Sequence, residues 1–219
     1  MIFKNEFIDL FRRNIEYRIM NQETKSDTFS SAKLCTLLLG TAFMLSIFSC
    51  EEKEPLTQIF VIQQGKHYAN PRLFQSLQSN ALSFKATFDE TAMYEFQERS
   101  FQDSKNKLLG FSDCNSSHHE NSARFAWQWY NGRLEIYAYC YVQGQRKERF
   151  IGSVSLNESN DYELALTDTD YVFRLNDLEP VQIERTEKCN TGAYYMLWPY
   201  FGGTLPAPHD VSISIEIDN

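Results

Sequence analysis

Three tyrosines alternate along one predicted strand and together suit the binding of a sugar. Between residues 134 and 142, small or aliphatic residues alternate with Glu135, Tyr137, Tyr139 and Tyr141. Successive side chains of a strand point to opposite faces, so these four share one face while the aliphatic side faces the layer between sheets. Aromatic rings stack on the C–H faces of sugars, and phenol groups supply hydrogen-bond partners. The pattern predicts a glycan-binding groove, unless loops bury the tyrosines.

Trp198 and Tyr200 could line the mouth of the same groove. They precede Gly202-Gly203 and the Pro-Ala-Pro sequence at 206–208. Glycine permits a sharp chain reversal, and proline stiffens the segment that follows. The segment has neither the lysine nor the following helix of a phosphate-binding loop. We therefore interpret it as a structural turn next to the groove.

Several side chains of metal-ligating type occur without a spacing that predicts a metal site. They are Asp113, Asn115, His118, His119, Glu120, His209 and Asp210. Adjacent histidines point apart on a strand, and only a loop could direct both to one ion. A calcium site at Asp113 and Asn115 is an alternative. We predict no metal and no cofactor, and interpret the histidine pair as loop residues that order the turn into the strand containing Arg124.

Cys50 ends an apolar stretch and is predicted to carry a lipid. The run from Leu34 to Phe48 is entered from Lys33 and is followed by Ser49, Cys50 and the acidic residues 51–54. At about 15 residues the run is short for a membrane span but suits an export signal. The mature protein is therefore expected to begin at a lipidated Cys50 that anchors it to a membrane.

The sequence divides into a leader with the signal peptide at 1–49, an acidic tether at 50–58 and a domain at 59–219, which is long enough for one hydrophobic core. The chain has 21 Lys and Arg against 29 Asp and Glu, a formal net charge of −8. This balance disfavours nucleic acid as a partner. It also disfavours an acidic glycan, unless the groove itself is basic.

The cysteines of the domain do not form a disulfide framework or a zinc motif. Cys114, Cys140 and Cys189 show no C-x-x-C spacing. Cys114 and Cys189 could pair after export, whereas Cys140 is predicted to be buried as a small apolar residue.

Short alternating runs separated by Gly, Asn, Asp or Ser predict an all-β domain. The predicted strands lie at 59–63, 82–88, 107–112, 124–129, 134–142, 149–156, 161–166, 171–175, 180–185, 193–200 and 211–217. Asn131-Gly132 predicts a tight hairpin turn. Many short strands at this spacing are typical of a two-sheet antiparallel sandwich or a barrel.

Three segments resemble a family of Bacteroidetes-type surface lipoproteins of unknown activity. They are Asp103–Arg124, Trp127–Gly144 and Tyr195–Asp210, and the likeness extends over residues 58–217. The family is similar to concanavalin A-like jelly rolls, which implies a jelly-roll sandwich. The acidic pair Glu51-Glu52 after the cysteine resembles an export signal to the outer surface, which implies an outer-membrane lipoprotein exposed at the cell surface.

Polysaccharide lyases are among the enzymes with this fold, and the chain contains the residue types they use. Arg124 and Gln128 could neutralise a uronate carboxylate, while Tyr139 or His67 transfers the proton. The Arg-rich strand, the Gln-Ile-His triplet and the lysine-bearing tyrosine motif of alginate lyases have no obvious match.

We predict a surface-anchored lipoprotein that binds a glycan, or a glycan-bearing partner, through the aromatic groove. The predicted ligand-binding residues are Arg124, Gln128, Glu135, Tyr137, Tyr139, Tyr141, Trp198 and Tyr200. Two alternatives remain open: a lyase acting on an acidic polysaccharide, and a structural protein whose aromatic face binds another surface protein.

Overall fold

A computed structural model describes residues 57–77, 79–185 and 194–218. Two antiparallel sheets face each other, which confirms the predicted β-sandwich. The first sheet, in spatial order, contains β11 (Val181–Glu184), β10 (Asp170–Leu175), β9 (Asn160–Leu166), β4 (Ala81–Phe88), β13 (Val211–Ile217), β1 (Thr57–Ile62) and β2 (Ala69–Asn70). The second contains β3 (Ser76–Leu77), β12 (Tyr194–Leu197), β5 (Asn106–Ser112), β6 (Ser122–Tyr130), β7 (Arg133–Val142) and β8 (Gln145–Val154).

Each predicted strand corresponds to a strand of the structure, and among the strands of the described residues only the two-residue strands β2 and β3 were not predicted. Asn131 and Gly132 have φ of 51° and 73° between β6 and β7, as a tight hairpin requires. Helical structure within the described residues is short: a 3-10 turn at Glu90–Ala92 and a helix, α1, at Arg99–Gln102. No helix in this part of the chain is long and apolar enough to cross a membrane.

The alternating pattern fills the layer between the sheets. On β7, Leu134, Ile136, Ala138 and Cys140 are fully buried, so the prediction for Cys140 is confirmed. Aromatic rings from both sheets pack in the same layer, and Phe84 of β4 contacts Phe125 of β6 edge-on with the ring centroids 5.8 Å apart. The opposite side of the second sheet is therefore free to hold polar side chains.

A buried ion pair joins the two sheets at one end of the sandwich. Asp113, just after β5, accepts hydrogen bonds from Nε of Arg185 at 2.8 Å and from the hydroxyl of Tyr171 at 2.7 Å, and its carboxylate lies 2.6 Å from Nη2 of Arg185. Arg185 follows β11 and Tyr171 lies on β10, both in the first sheet. The start of the β5–β6 loop is thus attached to the opposite sheet.

Candidate functional site

A groove of about 820 Å³ lies on the outer face of the second sheet. Strands β5 to β8 supply its floor, while the segments around Tyr68, Asp103, His118 and Tyr200 supply its walls. Its basic side chains are Arg72, Lys105, Lys107, Arg124 and Arg146, against the carboxylates of Asp103 and Glu148. A chain with a net charge of −8 therefore contains a groove with an excess of positive charge.

Arg124 is the most unusual of these cations because it is buried without an acidic partner. Its side chain on β6 donates one hydrogen bond, at 2.6 Å, to the backbone oxygen of Trp198. Its Nε is buried and has no hydrogen-bond partner in the structure. Burial lowers its pKa to about 10, an effect opposed by Tyr139, Tyr200 and Tyr195. No carboxylate forms an ion pair with Arg124 within the described ranges.

Gly110 on β5 leaves the space that the backbone and side chain of Arg124 occupy. A Cβ atom at Gly110 would stand 2.5 Å from the Cα of Arg124 and 2.8 Å from its Cγ. The pairing of β5 with β6 is irregular between Lys107 and Gly110. Glycine at this bulge lets the two backbones approach closely.

Lys107 places a second cation beside Arg124. Its Nζ donates to the backbone oxygens of Lys105 at 2.8 Å and Gly202 at 3.1 Å. The ammonium lies 4.9 Å from the ring centroid of Tyr139. Burial and, to a smaller extent, the charge of Arg124 together lower the pKa of Lys107 to about 8. Lys107 is therefore mostly charged at neutral pH.

The tyrosines beside these cations remain protonated. Tyr139 lies directly opposite Arg124 in the β6–β7 register and is only 6% exposed. Burial raises its pKa to about 12. Burial also raises the pKa of Tyr200, while Arg124 acts in the opposite direction. Tyr141, at 5.9 Å from Tyr139 between ring centroids, completes the aromatic part of the groove.

His118 and His119 line the groove from the β5–β6 loop. Their ring centroids are 4.2 Å apart, and the backbone N–H of His118 donates to the hydroxyl of Tyr195 at 3.1 Å. Burial lowers the pKa of His118, and His119 and Arg124 add to this effect. The ring of His118 is therefore mostly neutral at pH 7. Sequence reasoning placed the pair in a loop but missed its position in the groove.

Five of the predicted binding residues line the groove: Arg124, Tyr139, Tyr141, Trp198 and Tyr200. The ring of Trp198 also stacks on Phe60, with the ring centroids 5.4 Å apart, and packs against the core. Lys107, His118 and His119 were not predicted as binding residues. The tyrosine spacing reveals the face of β7, but the residues that meet it come from distant segments.

Gln128, Glu135 and Tyr137 lie on the same sheet face but form a separate cluster. Glu135 accepts hydrogen bonds from Gln128 at 2.8 Å and from Tyr137 at 2.7 Å, and it pairs with Arg133 at 2.8 Å. Lys105 lies 4.5 Å above the Tyr137 ring, between this cluster and the groove. We call Gln128, Arg133, Glu135 and Tyr137 the Glu135 cluster.

His67 supports the groove from behind. Its Nδ1 lies 3.0 Å from the backbone oxygen of Phe201, and its ring stacks on Tyr200 at 5.2 Å. Of the two residues considered for proton transfer, Tyr139 lines the groove and His67 does not.

The candidate metal ligands form no group of three within the described residues. Asp113 is instead paired with Arg185. Cys114 is disulfide-bonded, and its predicted partner Cys189 lies outside the described residues. Cys50, the predicted lipidation site, also lies outside them.

The fold and the groove on one sheet place the domain among jelly-roll sandwich proteins. The solved structures it resembles include alginate lyase AlyC3, with a TM-score of 0.52 and 11% identity over 77% of this chain and 75% of that one. The structure of AlyC3 in complex with dimannuronate has a TM-score of 0.51 and 10% identity, over 74% of this chain and 73% of that one. An alginate lyase from Pseudomonas aeruginosa has a TM-score of 0.46 and 11% identity, over 63% of this chain and 62% of that one.

At these identities the two AlyC3 structures establish a shared fold only. No protein-family model and no curated protein matches the sequence. The resemblance to surface lipoproteins therefore stays a prediction.

Proposed function

We propose that the groove binds an acidic polysaccharide and cleaves it by β-elimination. The observation that carries the proposal is Arg124, a buried guanidinium without a carboxylate partner that lies beside Lys107 and opposite Tyr139. A buried charge is costly unless it is paired. A carboxylate on the ligand would supply the missing partner and recover part of that cost.

The charge of the groove selects the class of glycan. Five basic side chains face two carboxylates, and both carboxylates lie near a cation. Asp103 pairs with Lys105 at 2.8 Å, and Glu148 lies 4.0 Å from Arg146. A cleft with one sign of charge concentrates ligands of the opposite sign. Uronate-bearing polysaccharides combine that charge with the sugar faces that tyrosine rings bind.

In the proposed reaction, Arg124 and Lys107 bind the carboxylate of a uronate and stabilise the charge that develops on it. Neutral His118 removes the proton at C5. The electron pair of that bond forms the C4–C5 double bond while the C4–O glycosidic bond breaks. Protonated Tyr139 gives its proton to the departing oxygen. The product is an unsaturated uronide, and both protein groups recover their protonation states through water.

The carboxylates of the groove do not favour hydrolysis. Glycoside hydrolases use two carboxyl groups on either side of the scissile bond. Asp103 and Glu148, the two that line this groove, lie beside Lys105 and Arg146. The cations, phenols and histidines favour elimination over hydrolysis.

Incubation with alginate, heparin and hyaluronan tests the proposal. We expect one of them to bind, measured by calorimetry, and to show rising ultraviolet absorbance from the unsaturated product. Tyr139→Phe should retain most of the affinity and lose most of the absorbance change. Binding by the wild type without absorbance would instead indicate a glycan-binding protein. If the wild type neither binds these glycans nor produces the absorbance change, the proposal is contradicted and a protein partner is favoured instead. Cross-linking on intact cells would identify that partner.

We also propose that Cys50 anchors the domain to the outer membrane, facing the cell surface. Two acyl chains hold a protein stably, whereas a single chain binds reversibly. Cys50→Ala should lose palmitate labelling while the domain still folds. Equal labelling of the wild type and Cys50→Ala would refute this assignment.

A further inference from the structure

A row of side chains leads from the groove floor to its mouth. Tyr200 forms backbone bridges with both Lys107 and Tyr68, which places these three residues side by side on neighbouring segments. The ring of Tyr68 contacts that of Tyr200 edge-on at 5.0 Å. Tyr68 is 54% exposed, so the row ends on a ring that a ligand can reach.

Arg72 adds an unpaired cation at this end of the row. Its guanidinium carbon lies 4.4 Å above the centre of the Tyr68 ring. It forms no ion pair with any residue of the described ranges. A guanidinium held over a ring face keeps its N–H groups for a planar, bidentate acceptor such as a carboxylate.

The loop that contains Arg72 also exposes apolar surface. Leu73 lines the groove and is 41% exposed, while Phe74, the next residue of the loop, lies outside the groove lining and is 91% exposed. An exposed aromatic side chain in the loop that borders the groove suits the C–H face of a further sugar ring. Cation and aromatic surface thus occur together at the mouth, as they do around Arg124.

We propose that Tyr68, Arg72 and Phe74 form an outer subsite that binds a second uronate unit of the same polysaccharide chain. The inference rests on the proposed function, because the first unit is the one held by Arg124 and Lys107. Its consequence is that affinity increases with chain length until the mouth is filled. The outer subsite binds substrate and takes no part in bond cleavage.

The test measures the affinity of a length series of oligouronates prepared from alginate. The wild type should bind long members more tightly than the disaccharide. Arg72→Gln and Phe74→Ala should each weaken long members about fivefold and the disaccharide less, because an exposed ionic or stacking contact contributes about 1 kcal/mol. Arg149→Gln is the matched control: Arg149 is exposed on β8 outside the groove, so its removal changes the net charge equally.

Two failures can be told apart. If the wild type binds oligouronates with no gain from length, or if Arg72→Gln and Phe74→Ala equal Arg149→Gln at every length, the outer subsite is refuted while the proposed function stands. If the wild type binds no member of the series, the proposed function itself fails for this glycan.

Discussion

The groove and the Glu135 cluster lie on the same face of the same sheet, yet they differ in whether their buried charge has a partner of opposite charge. In the cluster, the carboxylate of Glu135 receives hydrogen bonds from Gln128 and Tyr137 and the charge of Arg133. In the groove, Arg124 is buried with its Nε unpaired. A buried charge with an ionic partner and hydrogen bonds is compatible with a stable fold, whereas an unpaired buried charge is costly unless a ligand supplies the partner. An unpaired buried charge therefore distinguishes the groove from the Glu135 cluster.

Replacing Arg124 should have the largest effect and should separate function from stability. Arg124→Met removes a buried, unpaired charge but keeps an apolar stem. We expect about 100-fold weaker binding of the acidic glycan, since losing one partner of a buried charge pair costs about 2–5 kcal/mol. The thermal midpoint should stay equal or rise. A large fall in the midpoint would show that Arg124 is structural and would remove the contrast with the cluster.

Titration of Lys107 should give the next largest effect. Its pKa of about 8 means that it is charged below this pH and neutral above it. Affinity for the acidic glycan should therefore decrease about tenfold as the pH rises through 8, the effect of losing one partly buried charge contact. Lys107→Arg should bind with little change over that interval. An unchanged pH profile in the wild type would exclude Lys107 from binding.

Replacing Glu135 should have a smaller effect, which should change the stability of the fold and leave glycan binding unchanged. Burial alone would raise its pKa, but hydrogen bonds from Tyr137, Gln128 and Arg133 outweigh it and lower the pKa. A lowered carboxyl pKa contributes stability above the unfolded value of about 4.3, and this is lost as pH falls through the folded value. Glu135→Gln should cost about 1 kcal/mol in urea unfolding near neutral pH and less in acid. Loss of glycan binding in Glu135→Gln would show that the Glu135 cluster and the groove belong to one binding site.

The sequence predicts the sheets well because strand formation depends on local alternation. The face of β7 that carries Tyr139 and Tyr141 follows directly from the period of two. The same period cannot show that Tyr139 lines the groove while Tyr137 belongs to the Glu135 cluster, because both side chains point to one face. What separates them is Lys105, which comes from the segment after α1 and lies above Tyr137.

The remaining groove residues depend on long-range packing, which sequence spacing does not encode. Lys107 meets Tyr200 through backbone bridges between distant segments. His118 and His119 reach the groove because their loop folds towards Tyr141, with His119 at 5.4 Å from that ring. The net charge of −8 likewise does not reveal the local excess of cations, which is the exception that the sequence analysis left open.

The ion pair between Asp113 and Arg185 has a consequence for how the groove withstands heat. Asp113 begins the loop that carries both histidines, and its partners belong to the opposite sheet. That loop cannot detach without breaking a buried charge pair, a loss comparable with a large part of a domain's total stability. Inactivation on warming should therefore coincide with the melting of the whole sandwich, and catalysis or binding should persist until the two sheets separate.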